Sequence, residues 1–310
     1  MPNWCANRLY FRGQSDRIDD IRRLLEGQIV PWYRRAQREG IQLFLAGCAG
    51  ILQPPETVAF SLYPSLTASG SGIMSPEGMA YARWLRMLQD GVMLDMDNSQ
   101  LLHELWLACG IQERRWQTLT EAQKTVIEAL YRQKIHDWGS LLRRKSMAEW
   151  WDGLCDGGDE ERTEELDMLL ILPTRLDVEI NGFNGGLLAD VPSAYHWYVE
   201  HYGVKWPSGQ GMDVSGIGHD FIMADFDTPW SPPSEALLAA LSLQWQCDIE
   251  HWFAEQGCDF CGYARYLHGD VVESRTDALE WSELPDDEPE AFPEVIGPDW
   301  LIDNVAHFGG

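Results

Sequence analysis

Four side chains towards the C-terminal end of the chain have the chemistry and the spacing of a candidate metal site. They are Cys247, His251, Cys258 and Cys261, so that a Cys-x-x-Cys pair follows a histidine on a predicted strand. Zinc takes four thiolate or imidazole ligands in a tetrahedral arrangement, which such a turn and strand can supply. The spacing matches no standard zinc finger, and buried thiols beside an ordinary histidine account for the same residues. We therefore expect no cofactor and keep zinc as the alternative.

A second group combines tryptophan rings with charged side chains. Trp230 lies in a Trp-Ser-Pro-Pro turn, whose two prolines fix the backbone and can present the ring at the edge of a sheet. Trp206 follows Lys205, and Asp225 and Asp227 alternate along a predicted strand, which places both carboxylates on one face. Exposed tryptophans are frequent at protein interfaces. These five residues are therefore predicted to contact another protein, although a solvated acidic sheet face explains the two aspartates equally well.

The elements that must position both groups lie between residues 220 and 262. Apolar residues occur on both faces of Phe221–Thr228, which predicts a strand that ends at a proline-rich turn. A helix follows, with Ser231 and Pro232 as its cap and first turn and with leucines at helical spacing. Asp248–Glu255 predicts a returning strand, and the next glycine begins a turn into another. The pattern is a β-α-β-β unit.

The beginning of the chain has a strand and a helix of its own. Residues 3–11 are typical of a strand, and a helix with one apolar stripe runs to about residue 26. Because this strand has no partner nearby in the sequence, we expect it to complete the sheet of the C-terminal unit. Residues 75–154 predict four helices, whereas Leu176–Ile180 alternates as a strand.

Composition restricts the class of protein. The chain has 310 residues, 45% of them hydrophobic and fifteen of them tryptophan, which excludes wholesale disorder. No run of eighteen apolar residues predicts a membrane-spanning helix, and the first residues lack the pattern of a signal peptide. The cysteines are seven, an odd count at irregular spacing, which is typical of reduced thiols rather than of disulfides. These features predict a cytoplasmic protein.

The net charge of −26 is concentrated in one half of the chain. Residues 1–163 are close to neutral, whereas residues 164–310 hold four Lys and Arg residues against twenty-eight Asp and Glu residues. Such a half repels nucleic acid and anionic membranes, because binding to phosphates requires basic side chains. It can attract a basic protein surface. Acidity that serves solubility alone is the other interpretation.

Several motifs resemble one protein family. They are MPNWCANRLYFRG at the N-terminus, YHWYVEHYGVKW from residue 195, FDTPWSPP from residue 226 and the later F-x-E-x-G-x-D-F-x-G pattern. Together they resemble the Api92-like, or YubB-like (DUF1281), family of plasmid and phage proteins, over about residues 1–27 and 190–274. The resemblance implies a ferredoxin-like C-terminal domain and a mobile-element protein of the bacterial cytoplasm. It implies no catalytic residues.

We therefore expect an α+β protein with a ferredoxin-like antiparallel sheet, packed helices and a helical insertion. The expected domains are a β-α segment and loop that complete the sheet, the helical insertion, the ferredoxin-like domain, and an acidic tail that packs loosely or is partly disordered. Their boundaries are 1–72, 73–155, 156–275 and 276–310.

The expected function is that of a non-enzymatic plasmid or phage accessory protein that binds a host protein. A sharper version is an acidic mimic of nucleic acid that inhibits a DNA-binding or defence protein. One alternative is a metal-dependent enzyme or binder that uses the Cys, His and Asp side chains of the C-terminal domain. The other is nucleic-acid binding by basic residues of the helical insertion, namely Arg114, Arg115, Arg143, Arg144 and Lys145.

Overall fold

The structure is a computed structural model that describes residues 3–138, 146–157, 163–216, 218–283 and 292–310. No helix in these ranges is both long enough and apolar enough to cross a membrane. The elements in chain order are β1 Trp4–Arg12, α1 Ser15–Leu25, α2 Trp32–Cys48, α3 Pro76–Gln89, α4 Met96–Ala108, α5 Glu121–Gln133, α6 Ile135–Trp138, α7 Met147–Cys155, α8 Leu176–Asn181, α9 Ala194–Tyr202, β2 Gln210–Ser215, β3 Phe221–Pro229, α10 Glu235–Trp245, β4 Asp248–Glu255, β5 Phe260–Leu267, β6 Asp270–Asp277, β7 Glu280–Trp281, β8 Val295–Gly297 and α11 Asp299–Ile302.

The chain divides into two compact units. The sheet unit consists of Met1–Val30, Thr163–Leu172 and Tyr198–Gly310, and the helical unit consists of Pro31–Arg162 and Pro173–Trp197. The helical unit therefore interrupts the sheet unit in the sequence. It extends beyond the predicted insertion at 73–155, because it already begins at residue 31 and includes a second segment that begins at residue 173.

Six strands of the sheet unit form one antiparallel sheet in the described part of the chain, in the order β2-β3-β1-β4-β5-β6. The N-terminal strand β1 lies at its centre. Leu9 of β1 is opposite Ala224 of β3 on one side and opposite His251 of β4 on the other. The α+β class with an antiparallel sheet is thus confirmed.

Residues that alternate along each strand separate two faces of the sheet. One face, the helix-covered face, carries buried side chains of the central strands, such as Leu9, Phe11 and Ile222. Helices α1 and α10 supply the apolar side chains of this unit's core, namely Ile18, Ile21, Leu24, Leu25, Leu237, Leu238 and Leu241. The other face, the open face, carries charged and aromatic residues such as Arg8 and Trp252.

The described parts of the acidic C-terminal segment pack against the sheet. Leu279, Leu301 and Val305 are buried against Ala254 and Cys261, which belong to the open face. Trp281, Trp300 and Phe308 pack against the same cluster, whereas Phe292 is exposed. Residues 284–291 lie outside the described residues. Apolar side chains thus anchor the described parts of this segment to the sheet.

Two local predictions are wrong. The segment 1–72, expected to hold a loop after its β-α part, contains the 17-residue helix α2, in which Leu43, Phe44 and Leu45 are buried. The residues Leu176–Ile180, expected to be a strand, belong to helix α8. Its Asp177 and Glu179 are buried as well, so that the alternation of polar and apolar residues does not reflect alternating exposure.

Capping boxes mark two helix starts in the described part of the helical unit. Thr120 and Gln123 form a capping box at the start of α5, with both reciprocal hydrogen bonds present. Ser146 and Glu149 form a second capping box at the start of α7. The predicted fourth helix, over 140–154, is therefore described only from residue 147, since residues 139–145 lie outside the described ranges.

Candidate interaction surface

Lys205, Trp206 and Trp230 come together and form what we call the Trp–Lys cluster. The Nζ atom of Lys205 lies 3.6 Å from the ring centroid of Trp230 and 4.4 Å from that of Trp206. Both rings remain accessible, because Trp206 is 41% exposed and Trp230 is 45% exposed. An ammonium group is attracted by the quadrupoles of both rings. Lys205 therefore holds two half-exposed indole rings in one surface group.

Local hydrogen bonds fix Trp230 at the end of β3. Its backbone has a positive φ of 75°, a left-handed conformation that residues other than glycine rarely adopt. Its N–H donates to the carbonyl oxygen of Asn3 at 2.9 Å. Within the turn, Thr228 Oγ1 donates to the carbonyl oxygen of Ser231 at 2.7 Å. The left-handed conformation costs an L-residue about 1–2 kcal/mol, so these contacts hold the ring against a backbone preference.

Trp4 extends the cluster and was missed by the sequence reasoning. Its ring centroid lies 6.3 Å from that of Trp206, and the register of β1 places it opposite Pro229. The N-terminal motif contains Trp4, but nothing in the sequence relates it to a tryptophan at the other end of the chain. Half-exposed indole rings with a cation between them combine apolar area with charge, which suits the recognition of a protein surface.

The two predicted aspartates are engaged by basic partners. The Arg8 guanidinium donates to both carboxylate oxygens of Asp225, at 2.7 and 2.9 Å, and this hydrogen bonding raises the pKa of Arg8. His307 Nε2 lies 2.9 Å from a carboxylate oxygen of Asp227. Burial raises the pKa of Asp227, while His307 acts in the opposite direction. Arg8 therefore neutralises Asp225 locally, and His307, which lies beside Asp227, is a second residue that the sequence reasoning did not identify.

The four candidate metal ligands are not gathered at one point. His251 belongs to the helix-covered face, whereas Cys261 is paired with Ala254 and belongs to the open face. Cys247 is buried just before β4, and Cys258 is exposed in the turn after it. Over the described ranges, no three His, Cys, Asp or Glu side chains are placed to hold a metal ion.

The thiols of these cysteines are also held in the protonated form. Burial raises the pKa of Cys247 to about 12 and that of Cys261 to about 11. At Cys258, the carboxylate of Glu255 raises the pKa through a hydrogen bond. The surroundings of the three sulfur atoms therefore favour the thiol over the thiolate.

His251 takes part in a buried hydrogen-bond network instead. Its Nε2 lies 3.0 Å from Oδ1 of Asn7. The Nδ2 group of Asn7 donates to the carbonyl oxygen of Cys5 and to Thr228 Oγ1, both at 2.8 Å, which fixes the orientation of the amide. Asn7 Oδ1 is therefore the acceptor, and His251 carries its proton on Nε2. Burial lowers the pKa of His251 to about 3, so that the ring is neutral.

The basic residues of the helical unit are described only in part. Arg115 forms an ion pair with Asp156, with Nη2 at 2.6 Å from Oδ1, and it also donates to the carbonyl oxygen of Asp152. Hydrogen bonding to Asp156 raises the pKa of Arg115. Arg143, Arg144 and Lys145 lie outside the described residues. The described part of this group thus includes one arginine that is already paired with a carboxylate.

The chain is similar to two curated proteins of Escherichia coli strain K12. It is 54% identical to the uncharacterized protein YubB over 144 residues, which are 46% of this chain and 98% of YubB. It is 51% identical to the uncharacterized protein YubA over 156 residues, which are 50% of this chain and 93% of YubA.

A solved structure covers most of the chain. The crystal structure of protein api92 from Yersinia pseudotuberculosis is 35% identical and superimposes with a TM-score of 0.83, covering 92% of this chain and 100% of that chain. A family model described as a ferredoxin-like domain in Api92-like protein matches residues 201–296, which confirms the ferredoxin-like fold expected for the C-terminal domain. The model of DUF1281, described as a protein of unknown function, matches residues 30–206. The chain therefore belongs to the DUF1281 family, with its Api92-like ferredoxin domain.

Proposed function

We propose that this chain is a protein-binding accessory protein of a plasmid or phage, which acts in the bacterial cytoplasm without catalysis. The observation that carries the proposal is the Trp–Lys cluster, in which two indole rings stay almost half exposed although the turn around Trp230 is held against its backbone preference. Tryptophan is among the residues most enriched at energetic hot spots of interfaces. A rigid, half-exposed pair offers contact area without a large loss of side-chain entropy on binding.

The charge of the chain favours a basic partner. Residues 164–310 carry twenty-four more acidic than basic side chains, and charge complementarity both accelerates association and rejects acidic partners. Proteins that bind DNA present basic surfaces. The partner class is therefore a host DNA-binding or defence protein, which this chain inhibits by occupying the surface that otherwise contacts phosphates.

The test of protein binding compares a cluster variant with a matched control. Tagged wild-type chain, the double variant Trp206→Ala/Trp230→Gly and the control Leu243→Ala are expressed in bacterial cells, and copurifying proteins are quantified by mass spectrometry. Leu243 is an apolar residue of α10 that is 60% exposed, so its removal changes exposed apolar area outside the cluster. Glycine at 230 accepts the positive φ without strain.

The expected result is a partner that wild type and Leu243→Ala retain. The double variant binds this partner, once purified, with an affinity at least about tenfold weaker, because interface hot spots each contribute more than 1 kcal/mol. Equal recovery of the same proteins by wild type and double variant contradicts the assignment of the surface. Circular dichroism of each variant establishes that it is folded.

The mimicry of nucleic acid has a separate test. Duplex DNA is titrated into the complex of this chain with the purified partner at low and at moderate salt. DNA is expected to displace the chain, and the affinity of the complex is expected to fall as the salt concentration rises. A ternary complex of chain, partner and DNA refutes mimicry and leaves protein binding in place.

A further inference from the structure

An open cavity of about 400 Å³ lies in the sheet unit beside the N-terminus of α10. Strands β4 and β5 contribute residues of the helix-covered face, and β6 contributes hydroxyl groups of an edge strand. Its lining includes His251, Phe253, Tyr266, Ser234, Ser274 and Thr276. Small-molecule sites have volumes of about 300–1,000 Å³ and combine aromatic walls with a few polar groups. The cavity has the size and the lining of such a site.

His251 brings an unsatisfied acceptor to the cavity. The side chain is 1% exposed, and its Nε2–H is donated to Asn7. In a neutral imidazole the other nitrogen, Nδ1, is an acceptor, and it makes no hydrogen bond to any residue that the structure describes. Polar groups in native structures normally find a hydrogen-bond partner. At the wall of a cavity that partner is water or a ligand, so an occupant of the cavity can donate to Nδ1.

We propose that this cavity binds a neutral, planar heterocycle that donates an N–H group to His251 Nδ1. The Phe253 ring lies beside the imidazole, with centroids 5.0 Å apart, and Tyr266 adds a second aromatic side chain to the lining. Aromatic side chains favour planar rings through stacking and edge contacts. The hydroxyl groups of Ser274 and Thr276 supply further donors and acceptors at the edge strand.

The charges around the cavity favour a ligand without net charge. Glu235 lines it and opposes an anion, whereas the positive end of the α10 dipole opposes a cation. Arg275 also lines the cavity, but its guanidinium donates to Asp277 at 3.0 Å and lies over the Trp300 ring. The neutral imidazole accepts an N–H donor and gives no charge to pair with a carboxylate or phosphate. Nucleobases are heterocycles of this class.

The experiment uses three bases that carry an N–H group and three analogues that lack it. The probes are 9-methyladenine, 1-methylcytosine and 1-methyluracil, each compared with the analogue in which the remaining N–H groups are methylated. The full ¹⁵N-labelled chain is titrated with each probe, and NMR reports the dissociation constant together with the resonance of His251 Nδ1.

We expect at least one base to bind about tenfold more tightly than its methylated analogue, because the analogue cannot donate a hydrogen bond to Nδ1. The same base shifts the Nδ1 resonance. Absence of binding by all three bases, or equal binding of base and analogue, overturns the proposal.

Two variants of β6 locate the ligand. Ser274→Trp fills the cavity, whereas Glu273→Trp places the same ring on the opposite face of the same edge strand. Both positions are exposed, so both variants are expected to fold. Binding is lost in Ser274→Trp and retained in Glu273→Trp, and binding that survives in Ser274→Trp overturns the assignment. The Trp206→Ala/Trp230→Gly variant binds the base like wild type, which separates this site from the protein-binding surface.

Discussion

Acid should weaken the fold through His251 in a way that one substitution removes. Burial lowers the pKa of this imidazole from the ordinary 6.5 to about 3. Below pH 6.5 the unfolded chain therefore takes up a proton at this position while the folded chain does not. The contribution of His251 to stability is thus fully present above pH 6.5, decreases as the pH falls, and is lost once the pH has passed through 3.

The size of the effect follows from the two pKa values. Between them, the free energy of unfolding falls by at most about 1.4 kcal/mol per pH unit for one group. From pH 7 to pH 5 the loss is about 2 kcal/mol, because only the last one and a half units of that interval lie below the pKa of the unfolded chain. This is a large fraction of the stability of an ordinary domain, which is about 5–15 kcal/mol.

The assay is urea denaturation of wild type and of His251→Gln at several pH values between 7 and 5. Glutamine can still donate to Asn7 and does not titrate, whereas the carboxylates titrate in both proteins and cancel in the comparison. The difference in the free energy of unfolding between the two proteins should therefore shrink by about 2 kcal/mol over this interval. Parallel pH profiles of the two proteins would refute the argument that His251 is buried as the neutral ring.

Three further predictions concern the Trp–Lys cluster and the C-terminal segment. Lys205→Met keeps the aliphatic stem and removes the charge, and it should lower the free energy of unfolding by about 1 kcal/mol. A double-mutant cycle with Trp206→Leu should show most of this loss as a coupling energy between the two residues. Additive effects of the two substitutions would contradict the cation–π contact. Trp230→Gly should be as stable as Trp230→Ala or more stable by up to about 1 kcal/mol, because only alanine is strained at the positive φ. Urea denaturation of both variants measures the difference in their free energies of unfolding. Leu301→Ala should lower stability by about 2–4 kcal/mol because the side chain is buried, whereas Phe292→Ala, at an exposed residue, should change thermal unfolding little.

The β-α-β-β unit could be predicted because its local patterns agree with its packing. In β3, apolar residues on both faces indicate a strand, and Ile222, Ala224 and Phe226 are indeed buried on the helix-covered face. The helix after it begins at Glu235 with Ser234 as the cap, a few residues later than the Ser231–Pro232 pair suggests. Two prolines in succession delay the start, since each removes a backbone donor.

The errors arise where tertiary contacts decide the structure. In α8, Asp177 receives hydrogen bonds from Arg175, and Glu179 accepts one from Thr174 at 2.8 Å. Because these buried charged side chains have partners, polar and apolar residues can alternate in the sequence although none of them is exposed. The alternation therefore does not indicate a strand there. In α2, the apolar run is buried on all sides, which periodicity cannot distinguish from a buried strand.

In the candidate sites too, sequence patterns reveal residues that are neighbours in the chain but not contacts between residues that are far apart in it. The Pro-rich turn and the Lys-Trp pair are local patterns that single out Trp230 and Trp206, and the structure brings both rings together around Lys205. The contact of His251 with Asn7 joins residues 244 positions apart, which no local pattern contains. Whether His251 and Cys261 lie on the same face of the sheet depends on the register of β4 and β5. One residue more or less in the turn between these strands would move the side chain of Cys261 to the opposite face.

The central position of β1 has a consequence for the order in which the chain acquires structure during synthesis. The strand leaves the ribosome before its partners β3 and β4, which are made only after the whole helical unit. At about 5–20 residues per second, the intervening chain takes roughly ten to fifty seconds to synthesise. Through that interval both edges of β1 lack their native partners, and unpaired edges can template pairing with other chains. Both segments of the helical unit, Pro31–Arg162 and Pro173–Trp197, are synthesised before β3, so this unit can form during the delay. The sheet unit folds late, because long-range pairing requires its distant strands to be present.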